Sequence, residues 1–184
     1  MKKGFLLVFI VFLGYSGLSQ DLSSYANFLL RPYFENGVSL VRNDFMKQNY
    51  EIQPIDWGIG LQFGLPELQR LIPYAQYTNS EYKLEQKGSN TISNNQFSGG
   101  VIIPLKTQGD FVFKSKVGYN YSKIKESSND INSGSHGFKL GIGFEKKLFM
   151  NSRVYTDLVY NYQKTRNNEF KDFDSVRLSI GFIL

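Results

Sequence analysis

The chain of 184 residues contains no cysteine. That excludes any disulfide and the acylated cysteine of a lipid-anchored lipoprotein. There is one histidine, His136, so no His cluster exists to hold a metal. Past residue 20 no apolar run approaches the roughly 20 residues of a membrane-spanning helix. Mean hydropathy is slightly negative, at −0.30. Charge of neither sign dominates: the formal net charge is +5, and Lys2 and Lys3 supply two of it. Such a mild excess does not imply nucleic acid as a partner. By hydropathy alone the chain reads as soluble.

What is present begins with Met1-Lys2-Lys3, a basic start, and an unbroken apolar run from Phe5 to Leu13. About nine residues is the length of a signal-peptide core and too short for a bilayer span. Gly17-Leu18-Ser19 places small residues where a signal peptidase reads. The expectation is a signal peptide over 1–19, cleaved before Gln20, and one domain over 20–184.

That domain is written in period-two alternation, the mark of strands with two unlike faces. Eight stretches show it. The last is the clearest in position: Val176, Leu178, Ile180, Phe182 and Leu184 are apolar on one phase, with Arg177, Ser179 and Gly181 on the other. The second sets Ile55, Trp57, Ile59, Leu61 and Phe63 against Asp56, Gly58, Gly60 and Gln62. The first, about 30–41, sets Phe34, Val38 and Leu40 against Tyr33, Glu35, Gly37 and Ser39; Asn36 interrupts it and suggests a bulge. The third, about 71–84, has no settled phase, because Tyr74, Tyr77 and Tyr82 cannot all point one way. The fourth carries Phe97, Val101, Ile103 and Leu105. The fifth carries Phe111, Phe113, Tyr119 and Tyr121 against Lys114 and Lys116. The sixth sets Phe138 and Ile142 against Lys139 and Glu145, and the seventh Leu158 and Tyr160 against Asp157 and Asn161.

Connections alternate. Short turns are expected near 65–68, 107–110 and 149–151, and longer polar loops at 43–53, 86–94, 126–134 and 164–173. Short turns at one end and long loops at the other is the asymmetry of outer-membrane β-barrels. Pro32, Pro66, Pro73 and Pro104 all fall at the short-turn end, where a missing ladder N–H costs least.

Alternation alone does not say which phase faces inward. The polar phase holds many glycines, which would weaken strands for no gain on a water-facing surface. Inside a narrow eight-stranded barrel they make room for long charged side chains. Those are Glu35, Asp56, Lys114, Lys116, Lys139, Glu145, Asp157 and Arg177, of both signs, expected to form an internal ion-pair network. The apolar phase then faces lipid, and closure satisfies every backbone group. The competing arrangement, a soluble carrier barrel, would put the apolar phase inside.

On this pattern the chain resembles the small eight-stranded outer-membrane barrels, the OmpX-like proteins and the OmpA membrane domain. The resemblance implies an all-β, eight-stranded antiparallel up-and-down transmembrane barrel in a Gram-negative outer membrane. It implies an assembly signal at Val176, Leu178, Ile180, Phe182 and Leu184 for the barrel-assembly machinery; the family's terminal residue is aromatic, and here it is Leu184. The Ser19-Gln20 junction and the Tyr- and Asn-rich loops are similar to such proteins of Bacteroidota.

Expected partners are outer-membrane lipid and lipopolysaccharide, with Lys123 and Lys125 placed to touch the latter. No cofactor is expected. The first functional reading is a non-enzymatic barrel, structural or adhesive through its loops. The alternatives are a narrow channel, a subunit of a secretion or uptake machine, and a lipid- or peptide-directed hydrolase or acyltransferase built on His136 with Ser135 or Asp130. Adjacent strand residues point to opposite faces, which weighs against a Ser135–His136 pair.

Overall fold

The computed structural model describes residues 29–42, 54–65, 71–83, 91–126, 132–148, 152–165 and 174–184. The expected signal peptide at 1–19 lies outside them, as do 43–53 and most of the other three polar connections. Eight strands follow in sequence order: β1 (Leu30–Val41), β2 (Ile55–Phe63), β3 (Ile72–Lys83), β4 (Thr91–Gln108), β5 (Phe111–Glu126), β6 (Asn132–Lys147), β7 (Arg153–Thr165) and β8 (Ser175–Ile183). Each pairs antiparallel with the next, and β8 pairs back onto β1 to close a barrel. The C-terminal alternation is therefore a closing strand, held at its end by Leu184 N–H donating to Pro32 O at 3.1 Å.

Closure is staggered. Hydrogen-bonded partners followed from Val41 through Ser175, Asn161, Lys139, Gly118, Gly100, Tyr74 and Gln62 return to β1 at Arg31, ten residues before the start. A stagger of that size in eight strands tilts them strongly and leaves an interior that side chains fill.

Three expectations change. Asn36 makes no bulge: it pairs in register with Trp57 and Ile180 on the outer face. The irregularity falls between Pro104 and Lys106, near the β4–β5 turn, where Gly109 takes a positive φ of 59° that glycine adopts without a Cβ penalty. The loops are also shorter than 86–94, 126–134 and 164–173, since Thr91, Glu126, Asn132 and Thr165 belong to strands. Polar residues there pair across hairpins: Tyr82↔Ile92 and Lys125↔Asn132 are in register. Connection length alone therefore does not distinguish the two ends. Overhang does. β3 continues past Ser80, its last β2 partner, to Lys83, and β4, β5 and β6 run 18, 16 and 16 residues. About 9–11 tilted residues cross a bilayer, so β4, β5 and β6 are longer than a crossing requires.

Strand β3 resolves its phase because Tyr77 separates from the other tyrosines. Tyr74, Gln76, Thr78, Ser80 and Tyr82 are buried inward, while Tyr77 is on the outer face between Trp57 and Phe97, with ring centroids at 5.6 and 4.9 Å. The outer face is apolar elsewhere too: Ile59, Phe97, Ile142, Leu158, Leu178 and Ile180 are exposed, and polar side chains fill the inside. This is the reverse of a soluble barrel with an apolar cavity.

Candidate functional site

The interior is layered along the axis. At the turn end it is lined by buried aliphatic and tyrosine side chains, with buried Arg31, Gln62 and Glu145 at the same end. Ile72, Ile102 and Val112 cluster with Tyr74, and Ile183 clusters with Tyr33 and Tyr155, whose rings meet edge to face at 6.0 Å. These residues come from the inward phase of six different strands and form two separate clusters.

Two charge clusters adjoin these residues, the first containing Glu145, the register partner of Val112 and Tyr155. In one, Lys114 Nζ sits 3.4 Å from Glu145 Oε2 and 3.2 Å from Asp157 Oδ1, and Arg153 reaches Glu145 at 3.4 Å. These are charge contacts rather than aligned hydrogen bonds, since the carboxylate oxygens of Glu145 and Asp157 Oδ1 accept none. Lys114 also lies 4.2 Å from the Tyr155 ring centroid. In the other, Arg177 is clamped between two carboxylates. Its Nε donates to Asp56 Oδ1 at 2.6 Å and its Nη1 to Glu35. Ser39 Oγ donates to Asp56 at 2.6 Å, and Tyr155 OH donates to Glu35 at 2.6 Å. Buried charges held this way have both partner and hydrogen bonds, the condition for tolerating them.

Lys116 and Lys139 are placed differently from an ion pair. Both ammonium groups donate to one acceptor, Gln76 Oε1, at 3.0 and 3.3 Å, and Gln76 in turn donates to Glu35. Lys139 also donates to Ser98 Oγ at 3.0 Å, and Lys116 lies over the Tyr74 ring at 4.5 Å. Gln76 is thus the hub between two lysines and a carboxylate. Sequence reading passed over it because it carries no charge and lies on the strand of unsettled phase. Tyr33, Tyr74 and Tyr155 were also missed as lumen groups, although Tyr33 shares the phase of Glu35 and Tyr155 that of Asp157. Toward the loop end the lining turns neutral: Ser122, Ser135 and Gln163 bond to one another at 2.5 to 3.3 Å.

Inward glycines make space for these side chains. A Cβ on Gly58 would crowd Glu35, and one on Gly37 would crowd Asp56 and Arg177. They also seat the tyrosines: a Cβ on Gly60 would overlap the Tyr33 ring, and one on Gly181 the Tyr155 ring. Gly181→Val is expected to lower unfolding free energy by about 1–3 kcal/mol, read from urea titration in lipid vesicles. Outward Gly99 faces no such obstacle, and Gly99→Val is expected to stay within about 0.5 kcal/mol of the parent.

On the outer wall at the loop end stand Trp57, Tyr119, Tyr121, Tyr160 and Tyr162, the level at which aromatic rings meet headgroups. His136 is there too, stacked on Tyr119 at 6.5 Å and 25°. Ser135 points the other way, into the lumen, where it bonds Ser122 and Gln163. The two form no dyad, and Asp130 lies outside the described residues. Among the described residues no group of three or more His, Asp or Glu side chains is arranged to hold a metal.

A closed eight-stranded antiparallel barrel, lipid-facing outside and polar inside, is the architecture of the small outer-membrane β-barrel proteins. The structure is similar to that of Neisserial surface protein A, with a TM-score of 0.64 at 14% identity over 84% of this chain and 96% of that one. It is also similar to Ail, the attachment invasion locus protein of Yersinia pestis. There the TM-score is 0.55 at 12% identity over 84% and 95% of the two chains. At such low identity the likeness is one of fold. No family model matches the sequence, and no curated protein does.

Proposed function

We propose that this protein is a non-enzymatic outer-membrane barrel with a closed lumen, working through its loop-end surface. The observation that carries the reading is the turn-end plug. Ile72, Ile102 and Ile183 are at most 1% exposed, and above them the bore is crossed by Arg177, Lys114 and their carboxylates. A solute on the axis would have to displace both buried apolar side chains and paired buried charges. The length of β4, β5 and β6 supports the other half of the reading, since 16 to 18 residues exceed what a bilayer crossing needs. The separation of Ser135 from His136 favours binding over hydrolysis.

The test is conductance. Purified, refolded protein in planar bilayers is expected to give no discrete steps. Reproducible single-channel steps from the unmodified protein, abolished by heat denaturation, would replace this reading with the narrow channel. Insertion is checked independently by the shift in gel mobility between unheated and boiled samples, which a closed barrel shows and a soluble protein does not.

A further inference from the structure

The outer wall is not uniformly convex. A groove of about 790 Å³ runs across it from β1 toward β5. Its floor is Ala75 and Gly99, and its walls include Ile59, Phe97 and Tyr119, with Tyr121 at the upper end. Many lipid-facing positions elsewhere carry large apolar side chains such as Leu, Ile or Phe. Here two adjacent strands present small residues in register, Ala75↔Gly99. An added Cβ on Gly99 would meet only Tyr74 O, at an ordinary 3.6 Å, so the hollow is open rather than filled from within.

Directly above the groove's upper end the wall turns basic. Tyr121, His136 and Lys164 share one hydrogen-bonded row across β5, β6 and β7. Lys123 lies one outward position above Tyr121, with Lys125 beyond it, and all four basic side chains are exposed. Their outward neighbours on β4 are Asn95 and Ser93, which are neutral. His136 stacks on Tyr119, so the basic rim and the groove wall are in contact. An acyl chain satisfies the groove, since almost nothing polar lines it. The lysines call for an anion at headgroup level. The loop end faces outward in barrels of this architecture, and there the lipid of matching chemistry is a phosphorylated glycolipid.

We propose that this wall is a specific seat for one lipid A-type molecule, with an acyl chain over Ala75 and Gly99 and a phosphate at Lys123, Lys164 and His136. The proposal rests on the outer-membrane reading above. It differs from general solvation by lipid in requiring both groove and rim.

The experiment is native mass spectrometry of refolded protein in detergent. The probes are bisphosphorylated hexa-acyl lipid A, its dephosphorylated form, and phosphatidylglycerol. The parent is expected to retain lipid A about tenfold more than either comparison lipid, and to lose about tenfold in retention in Lys123→Glu/Lys164→Glu and in Gly99→Leu. Equal retention of phosphatidylglycerol, or unchanged lipid A retention in either variant, overturns the site. Each variant is first checked for its heat-dependent gel shift. If Gly99→Leu fails that check, Ala75→Leu fills the same floor from β3. A parent without the gel shift sinks the barrel reading itself, whereas a shifted parent without lipid A preference sinks only the seat.

Discussion

Arg177→Met is expected to destabilise the barrel by about 3–5 kcal/mol, the usual consequence of removing one partner from a buried ion cluster. Among the described residues Arg177 is the one cation with an ion pair to both Glu35 and Asp56, and those carboxylates are 1% exposed. Without it Asp56 keeps Ser39, and Glu35 keeps Tyr155 and Gln76, all neutral donors. Lys116 and Lys139 donate to Gln76 rather than to either carboxylate. The readout is urea unfolding in lipid vesicles, followed by Trp57 fluorescence; Trp57 is the only tryptophan. Replacing the carboxylates as well, in Arg177→Met/Glu35→Gln/Asp56→Asn, is expected to recover most of the loss, since no uncompensated charge then stays inside. A single substitution costing under about 1 kcal/mol would mean the cluster is solvated rather than buried, and that the bore is wetter than the plug implies.

How much of this was legible in sequence depends on the rule each feature obeys. Strand identity and closure were readable because period two is a local pattern, written in residues such as Val176 to Leu184. The inward charges were readable for the same reason, since Glu35, Lys114, Asp157 and Arg177 each alternate with lipid-facing apolar residues. Which charge meets which was not. Arg177 joins Glu35 and Asp56 only because the barrel's stagger brings β8, β1 and β2 to one level, and stagger is a property of register between strands. The hairpin extensions were missed because Asn94 and Ser133 look like loop residues, yet they line a polar bore and pair as strand. Asn36 misled in the opposite direction. A polar residue on an apolar phase suggested a broken ladder, but the ladder runs through it and only the side chain is out of keeping. The groove was not legible at all: Ala75 and Gly99 are 24 positions apart in the chain and become one floor only through the β3–β4 register.

Leu158→Arg tests the orientation of the faces and carries the second-largest expected effect. Leu158 lies on the outer face at mid-strand, in a row with Ile142 and Leu178 and more than 40% exposed. In a bilayer that exposure is to hydrocarbon. An arginine at the midplane of a transmembrane barrel costs about 2–4 kcal/mol, falling to about 0–1 near the interfaces. Leu158→Arg should therefore lower unfolding free energy in vesicles by about 2–4 kcal/mol. Ile55→Arg, at the loop end of β2 and 77% exposed, should cost under about 1 kcal/mol, because its guanidinium reaches the headgroups. The difference between the two positions decides the matter. Two outward sites of a water-soluble protein would accept arginine equally, whereas a gradient that steepens toward Leu158 requires a low-dielectric slab centred on the Ile142–Leu158–Leu178 row. A flat response at both sites would remove the membrane from the account and, with it, the reason for keeping the inward charged and tyrosine side chains out of reach of bulk solvent.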